Sequence, residues 1–211
     1  MDLDVARANL IRALDQEIRD KKVLEAMARV PREAFVPQEC YHAAYEDRPL
    51  SIGFGQTISQ PFIVALMIQA LELKGDEKVL ELGTGSGYEA AILAELVKHV
   101  VTVEIIPELA ESAERILRKL GYYNIEVNIA GKTLGWQGKA PYDAIIVSAA
   151  APSVPPVLLD QLSWGGRLVI PVGPRWEQEL TKVTKYRKGN EVESLGGCYF
   201  VPLIGEGAWE K

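Results

Sequence analysis

The chain has 211 residues, of which 48% are apolar and 25% charged, and its net charge is −6. That length and mixture fit one globular domain with a sizeable core and exclude a low-complexity or disordered chain. The excess of acids counts against nucleic acid as a partner, and no apolar run approaches the ~18 residues needed to cross a bilayer.

The first four residues, Met1-Asp2-Leu3-Asp4, are acidic and lack the basic-then-apolar layout of a signal peptide, so a cytoplasmic protein is expected. Val5, Leu10, Ile11, Leu14 and Ile18 recur at helical spacing. A second amphipathic helix carries Val23, Leu24, Met27 and Val30, and Pro31 and Pro37 end it. Periodicity is lost from Tyr41 to Ile58, which reads as an ordered loop, and resumes from Pro61 through Ile63, Leu66, Met67, Ala70 and Leu73. Cys40 and Cys198 stand alone, without CxxC spacing or a neighbouring His, so neither a disulfide framework nor a zinc site is expected.

From Lys74 onward, apolar runs alternate with helical stretches. Strands are predicted at 79–82, 100–103, 125–129, 144–147 and 168–170. Helices are predicted after Gly87, from Pro107 to about Leu120, and from Pro155 to the Gly165-Gly166 pair. Continuous apolar strands joined by helices indicate a parallel sheet covered on both faces. Residues 180–187 and 192–201 flank Lys188-Gly189-Asn190 and read as a closing antiparallel hairpin. Its basic residues Lys182, Lys185, Arg187 and Lys188 read as a solubilising face. The chain is therefore expected to be a single α/β domain over residues 1–211. Residues 1–73 form a helical extension with a loop at the site, and residues 74–211 form the ligand-binding sheet and hairpin.

The turn Glu81-Leu82-Gly83-Thr84-Gly85-Ser86-Gly87 follows a strand and opens a helix, the setting in which open α/β sheets bind ligands. A dinucleotide fingerprint needs glycine at position 88, where this chain has Tyr88. Glu81 beside a pyrophosphate would be repulsive, whereas beside a sulfonium or ammonium it is attractive. Glu104 ends the next strand, where an acid suits the two hydroxyls of a ribose. S-adenosylmethionine, which has no phosphate and carries positive charge, is the cofactor these residues favour, with S-adenosylhomocysteine as its product. Gly131-Lys132-Thr133 is not a phosphate loop, because the earlier glycine that loop requires falls on Glu126.

After the strand 144–147 the chain reads Ser148-Ala149-Ala150-Ala151-Pro152, which disfavours an amine-directed base methyltransferase. Neither cysteine follows proline, which removes cytosine-C5 chemistry. With His42 and His99 outside any motif, no strong general base stands out. A carboxylate acceptor, already ionised near pH 7, needs none.

Four stretches carry a specific resemblance: Gly55-Gln56-Thr57-Ile58-Ser59-Gln60-Pro61, residues 79–88, Pro141-Tyr142-Asp143-Ala144-Ile145-Ile146-Val147, and Phe200-Val201-Pro202-Leu203-Ile204-Gly205. In this order, over nearly the whole chain, they resemble the protein L-isoaspartate O-methyltransferase family. The resemblance implies a Rossmann-like class I methyltransferase fold whose seven-stranded sheet ends in two antiparallel strands. It also implies methylation of the abnormal carboxyl of isoaspartyl residues in damaged proteins and peptides, which starts their repair through a succinimide. A monomer without nucleic-acid or membrane partners is expected.

Carried over by position, Ser59 corresponds to the active-site serine, and Gln56, Thr57 and Ile58 to a loop closing over cofactor and substrate. Gly83, Thr84 and Gly85, with Glu81, fall to the methionine portion of the cofactor, Glu104 and Ile105 to its ribose side, and Gly131 and Lys132 to its adenine. Ile58 and Ser59 with Val201, Pro202, Leu203 and Ile204 line the substrate pocket. Ser59, ahead of Gln-Pro and an apolar run, also suits a helix N-cap. The chain departs from the family pattern at Ala130-Gly131-Lys132-Thr133, where Gly-Asp-Gly is usual and the Asp receives the adenine amino group. It departs also at Phe62, where His or Tyr is common. The alternative reading is a weak or inactive relative that binds S-adenosylmethionine or isoaspartyl peptide, because one hydrogen bond to a neutral amine, worth ~0.5–1.5 kcal/mol, is missing.

Overall fold

The computed structural model describes residues 2–210. Two helices open the chain, α1 (Leu3–Leu14) and α2 (Lys21–Arg29), capped by the side chains of Asp2 and Asp20. Ile18 is buried but lies beyond the end of α1, in the turn before α2. Two 3-10 turns, Arg32–Phe35 and Gln38–Ala43, lead into a hairpin of β1 (Leu50–Gly53) and β2 (Gln56–Ile58). The sequence reading of 41–58 as loop is corrected here. Strands of four and three residues are too short for alternation to register, and Gly53, Phe54 and Gly55 all have positive φ (88°, 52°, 70°) to make the tip. Helix α3 (Pro61–Ala70) follows.

The rest of the chain is β3 (Lys78–Leu82), α4 (Tyr88–Leu96), β4 (His99–Glu104), α5 (Pro107–Lys119), β5 (Ile125–Ile129), β6 (Tyr142–Val147), α6 (Pro156–Asp160), β7 (Leu162–Val172), β8 (Gln178–Tyr186) and β9 (Gly189–Cys198). The sheet order is β5-β4-β3-β6-β7-β8-β9, with the first five parallel and the last two antiparallel. Alternate residues of one strand feed two cores. Val79 joins Ile92, Val100 and Ile146 with Leu24, Met27 and Ile68 of the N-terminal helices, while Leu80 joins Val101, Ile145, Leu158 and Leu168. This is the mostly parallel sheet closed by antiparallel strands that the resemblance implies.

Two local readings change. The Gly165-Gly166 pair does not end a helix but lies within β7, because a Cβ on Gly166 would stand 2.9 Å from the Asp143 carbonyl oxygen of β6. The lysines of the closing hairpin are not all solvated either. Lys182 pairs with Glu72 and Glu193, and Lys185 donates to the Leu159 and Leu162 carbonyls while lying 4.8 Å over the Trp164 ring.

Chain order reverses at β3, whose neighbours are β4 on one side and β6 on the other. The crevice outside the carboxyl ends of such strands is where this architecture binds ligands.

Candidate active site

The turn after β3 is shaped by positive φ at its glycines. Gly83 (φ 93°) lies against the end of β6, where a Cβ would stand 3.5 Å from Ser148, and its N–H donates to the Val103 carbonyl at 2.9 Å. Gly87 (φ 89°) caps α4 where a Cβ would press on Ala113 at 3.2 Å and Leu117 at 3.4 Å. An L side chain at either place would be strained by conformation alone. The turn thus brings backbone to the mouth of a cleft whose empty volume is ≈ 1060 Å³, open solvent at its mouth included. That space is ample for a nucleoside-sized ligand with part of a second one.

Three elements build the cofactor side. Gly83, Thr84 and Gly85 form one wall, and Glu104 and Ile105 continue from β4. Glu104 is 5% exposed and accepts the Gly85 N–H on Oε2 at 2.8 Å and the Ile106 N–H on Oε1 at 3.0 Å. An ionised carboxylate has about four acceptor positions, so each oxygen keeps one for a pair of adjacent hydroxyls. Gly131 lines the far end beside Leu134, with no carboxylate at its position.

Gln56, Thr57, Ile58 and Ser59 come from β2 and the residue after it, and cover the cleft from the other side. Val201, Pro202, Leu203 and Ile204 complete it. That segment is fixed to the end of β6 by two backbone bonds of 2.8 Å, from Ala150 N–H to the Val201 carbonyl and from Leu203 N–H to the Ala150 carbonyl. Two of the expected residues do not line the cleft. Lys132 is exposed and turns its carbonyl to the Glu206 N–H at 3.1 Å. Glu81 is wholly buried behind the turn, so its influence on a ligand is electrostatic and not by contact.

Ser59 does not cap α3. The cap position is Gln60, and the first-turn N–H of Phe62 donates to Asp47 Oδ1 at 2.8 Å instead. What holds Ser59 is its own carbonyl, which accepts from Arg32 Nη2 at 2.8 Å. Arg32 is fully buried, donates through Nε to the Ala44 carbonyl at 2.9 Å, and lies 4.7 Å over the Tyr88 ring. Burial pulls this guanidinium below its ordinary value, against the attraction of Tyr88. The sequence gives no sign of this role, because an arginine after proline reads as a solvated surface residue. Arg32→Lys keeps a cation but cannot reach both carbonyls in one plane. It is expected to lower stability by ~2 kcal/mol in urea unfolding and turnover about tenfold, through a loosened Ser59 segment.

The electrostatics of the cleft are one-sided. Among the described residues that line it, the charged side chains are Glu89 and Glu104, with no lysine, arginine or histidine. Glu89 projects from the first turn of α4, is 7% exposed, and accepts from Ser148 Oγ at 3.0 Å. Burial pushes its carboxyl up to about 7, with the Ser148 hydrogen bond opposing. Glu81 is held well above the usual carboxylate range by burial first and the Glu89 charge second. Such a cleft suits a cationic, phosphate-free ligand and repels a pyrophosphate.

The model of the family described as protein-L-isoaspartate(D-aspartate) O-methyltransferase matches residues 6–208. A protein-L-isoaspartate O-methyltransferase of Syntrophus aciditrophicus is 52% identical, over 98% of this chain and 99% of its own. A solved protein-L-isoaspartate O-methyltransferase superposes with a TM-score of 0.86 at 28% identity, over 96% of this chain and 67% of that one. A second solved structure, from Plasmodium falciparum, is described as a putative protein-L-isoaspartate O-methyltransferase in complex with S-adenosyl-L-homocysteine. It matches with a TM-score of 0.77 at 25% identity, over 92% of this chain and 95% of its own.

Proposed function

The chain belongs to the protein-L-isoaspartate(D-aspartate) O-methyltransferase family, and from that premise we propose that it transfers a methyl group from S-adenosylmethionine to the carboxylate of L-isoaspartyl residues in proteins and peptides. The observation that carries this reading is the acid-only cleft beside Ser59 and the Val201–Ile204 segment. It accepts a cation without phosphates on one side and leaves the acceptor to be held by hydroxyl and backbone groups on the other. S-adenosylmethionine, when bound, supplies a methyl group activated by the sulfonium. The chain's own residues then align. Glu104 holds the ribose hydroxyls, Gly83 and Gly85 bring backbone to the methionine half, and Ile105 and Leu134 flank the base. Gln56, Thr57 and Ile58 exclude water from above.

The acceptor carboxylate is ionised near pH 7 and no proton need leave it before attack. A lining without lysine, arginine or histidine among the described residues is therefore consistent with the chemistry. Ser59 orients the acceptor by its hydroxyl, and the backbone of Val201–Ile204 holds the peptide. Intramolecular models put the value of such alignment at roughly 7–11 kcal/mol. The missing carboxylate at Gly131 removes a contact worth ~0.5–1.5 kcal/mol, too little to empty the site. Nothing in the cleft favours an inactive relative.

The reading is tested by transfer of labelled methyl to an isoaspartyl peptide against the same peptide with normal aspartate. Base-labile label on the isoaspartyl peptide alone is expected, and no label on either, in protein that binds S-adenosylhomocysteine, overturns it. Ser59→Ala is expected to lower turnover at least about tenfold while changing cofactor affinity by no more than ~2-fold. Equal turnover would remove Ser59 from the mechanism. We also propose a monomer acting in the cytoplasm, with residues 1–73 covering the site and residues 74–211 holding the cofactor. Among the described residues, no helix is long and apolar enough to cross a membrane. Sedimentation at micromolar concentration checks the oligomeric state.

A further inference from the structure

Of the two carboxylates lining the cleft, Glu104 has both oxygens engaged by backbone N–H groups, and Glu89 does not. Glu89 Oε2 accepts from Ser148 Oγ at 3.0 Å, while Oε1 is buried without a partner. Behind it on β3, Glu81 is 0% exposed and both of its oxygens lack partners. The neighbouring groups offer no countercharge. Thr84 and Thr102 share one hydrogen bond at 2.6 Å and are neutral, so Thr102 eases Glu81 without a charge; Tyr88 faces Arg32, and Arg32 donates to the Ala44 and Ser59 carbonyls. Glu104 adds a third negative charge from β4 that acts on Glu81. Two buried carboxylates without a cation are unfavourable unless a proton or a positively charged ligand sits with them.

We propose that Glu89 is a specificity-determining residue of the cofactor site. Its carboxylate, at the wall of the cleft, attracts the positively charged methionine half of S-adenosylmethionine through space and distinguishes it from the product, which has lost the sulfonium charge. This inference rests on S-adenosylmethionine being the cofactor. In the cleft without a cation, the Glu89 carboxyl, held up to about 7 by burial, keeps its proton for much of the time near neutral pH. Entry of a ligand carrying both ammonium and sulfonium favours the anion, and the proton leaves to solvent. The first turn of α4 also favours the anion, because the helix N-terminus is its positive end. When the C–S bonding pair returns to sulfur and the new C–O bond forms on the acceptor, the sulfonium charge disappears. Glu89 then takes a proton back from solvent, and the product loses part of its hold. Glu81, behind it, is held well above the usual carboxylate range by burial and by the Glu89 charge, so a proton on either carboxyl eases the other.

The experiment is calorimetric titration of S-adenosylmethionine and of S-adenosylhomocysteine at pH 6.5, in phosphate and in Tris, whose ionisation enthalpies differ. The wild-type chain is expected to release a substantial fraction of one proton with S-adenosylmethionine and clearly less with S-adenosylhomocysteine. Glu89→Gln is nearly isosteric and removes a buried charge, so it is expected to fold. It should lose this difference in proton release, and its preference for S-adenosylmethionine over S-adenosylhomocysteine should fall about tenfold. Ser148→Ala removes the hydrogen bond that favours the anion, so the pH at which proton release is largest should move upward. No proton release by the wild type, or unchanged release and preference in Glu89→Gln, overturns the proposal. If neither ligand binds folded protein, the failure lies with the cofactor reading itself.

Discussion

Glu104→Ala is expected to weaken both S-adenosylmethionine and S-adenosylhomocysteine about 100-fold or more in calorimetric titration, while urea unfolding shows a loss of only ~1–3 kcal/mol. Two separate jobs meet in this carboxylate. It receives Gly85 N–H at 2.8 Å and Ile106 N–H at 3.0 Å, so it ties the glycine turn to the start of α5. It also presents its remaining acceptor positions to the cleft. Hydrogen bonds to a charged group are worth ~1.5–3 kcal/mol each, so losing two to ligand hydroxyls costs ~3 kcal/mol or more, and ~1.4 kcal/mol is a factor of ten in affinity. The turn itself survives in part, because Gly83 N–H still donates to the Val103 carbonyl at 2.9 Å. Glu104→Gln sharpens the test. Its amide oxygen can still serve one hydroxyl, but its NH2 faces a backbone N–H, so affinity should fall between wild type and alanine. Equal affinity in all three proteins would remove Glu104 from the cofactor site.

The sheet was legible because its strands are continuous apolar runs punctuated by glycine and proline. Val79 and Leu80 feed different cores, and such a strand cannot be confused with an amphipathic helix. The glycine turn was legible for a similar reason, since Gly83 and Gly87 answer to positive φ, and Gly87 also to close neighbours, demands that leave a mark in sequence. The β1–β2 hairpin was not, because Leu50–Gly53 and Gln56–Ile58 contribute too few residues for a period of two to show. Gly166 misled for the opposite reason: a glycine required by the nearby Asp143 carbonyl looks the same in sequence as one that ends a helix.

Within the site, residues acting through the local chain were foreseen, and those acting across it were not. Arg32 reaches Ser59 over 27 positions and Asp47 reaches Phe62 over 15, and neither has a local pattern. Glu89 is the instructive case. In sequence an acid in the first turn of a helix reads as a favourable partner of the helix dipole. Yet the residues around it, Tyr88 and Ala90 to Leu93, are all buried. An acid inside so apolar a stretch signals a side chain directed inward, and that signal is carried by the amino-acid order alone.

Burying Glu81 and Glu89 has a consequence for the empty protein, which is expected to lose stability as pH rises from about 5 to about 8. In the unfolded chain these carboxyls ionise near their ordinary value of 4.5, whereas the folded protein holds Glu89 up to about 7 and Glu81 well above the usual range. Between those limits the folded state binds more protons than the unfolded one, so stability is highest at low pH and falls as pH rises through the folded value. For Glu89 alone the shift corresponds to ~3 kcal/mol by pH 8, at ~1.4 kcal/mol per unit. Acid unfolding from the other carboxylates sets in below this window. Glu89→Gln is therefore expected to melt some 5–10 °C above wild type at pH 8 without cofactor, with the gap closing towards pH 5. Glu191→Gln, on the exposed edge strand β9, serves as the control and should follow the wild-type profile. Saturating S-adenosylmethionine should narrow the gap from the wild-type side, because the cation offsets what the proton offsets in its absence. A gap between Glu89→Gln and wild type that does not change with pH would mean that the buried pair carries no proton in the empty cleft.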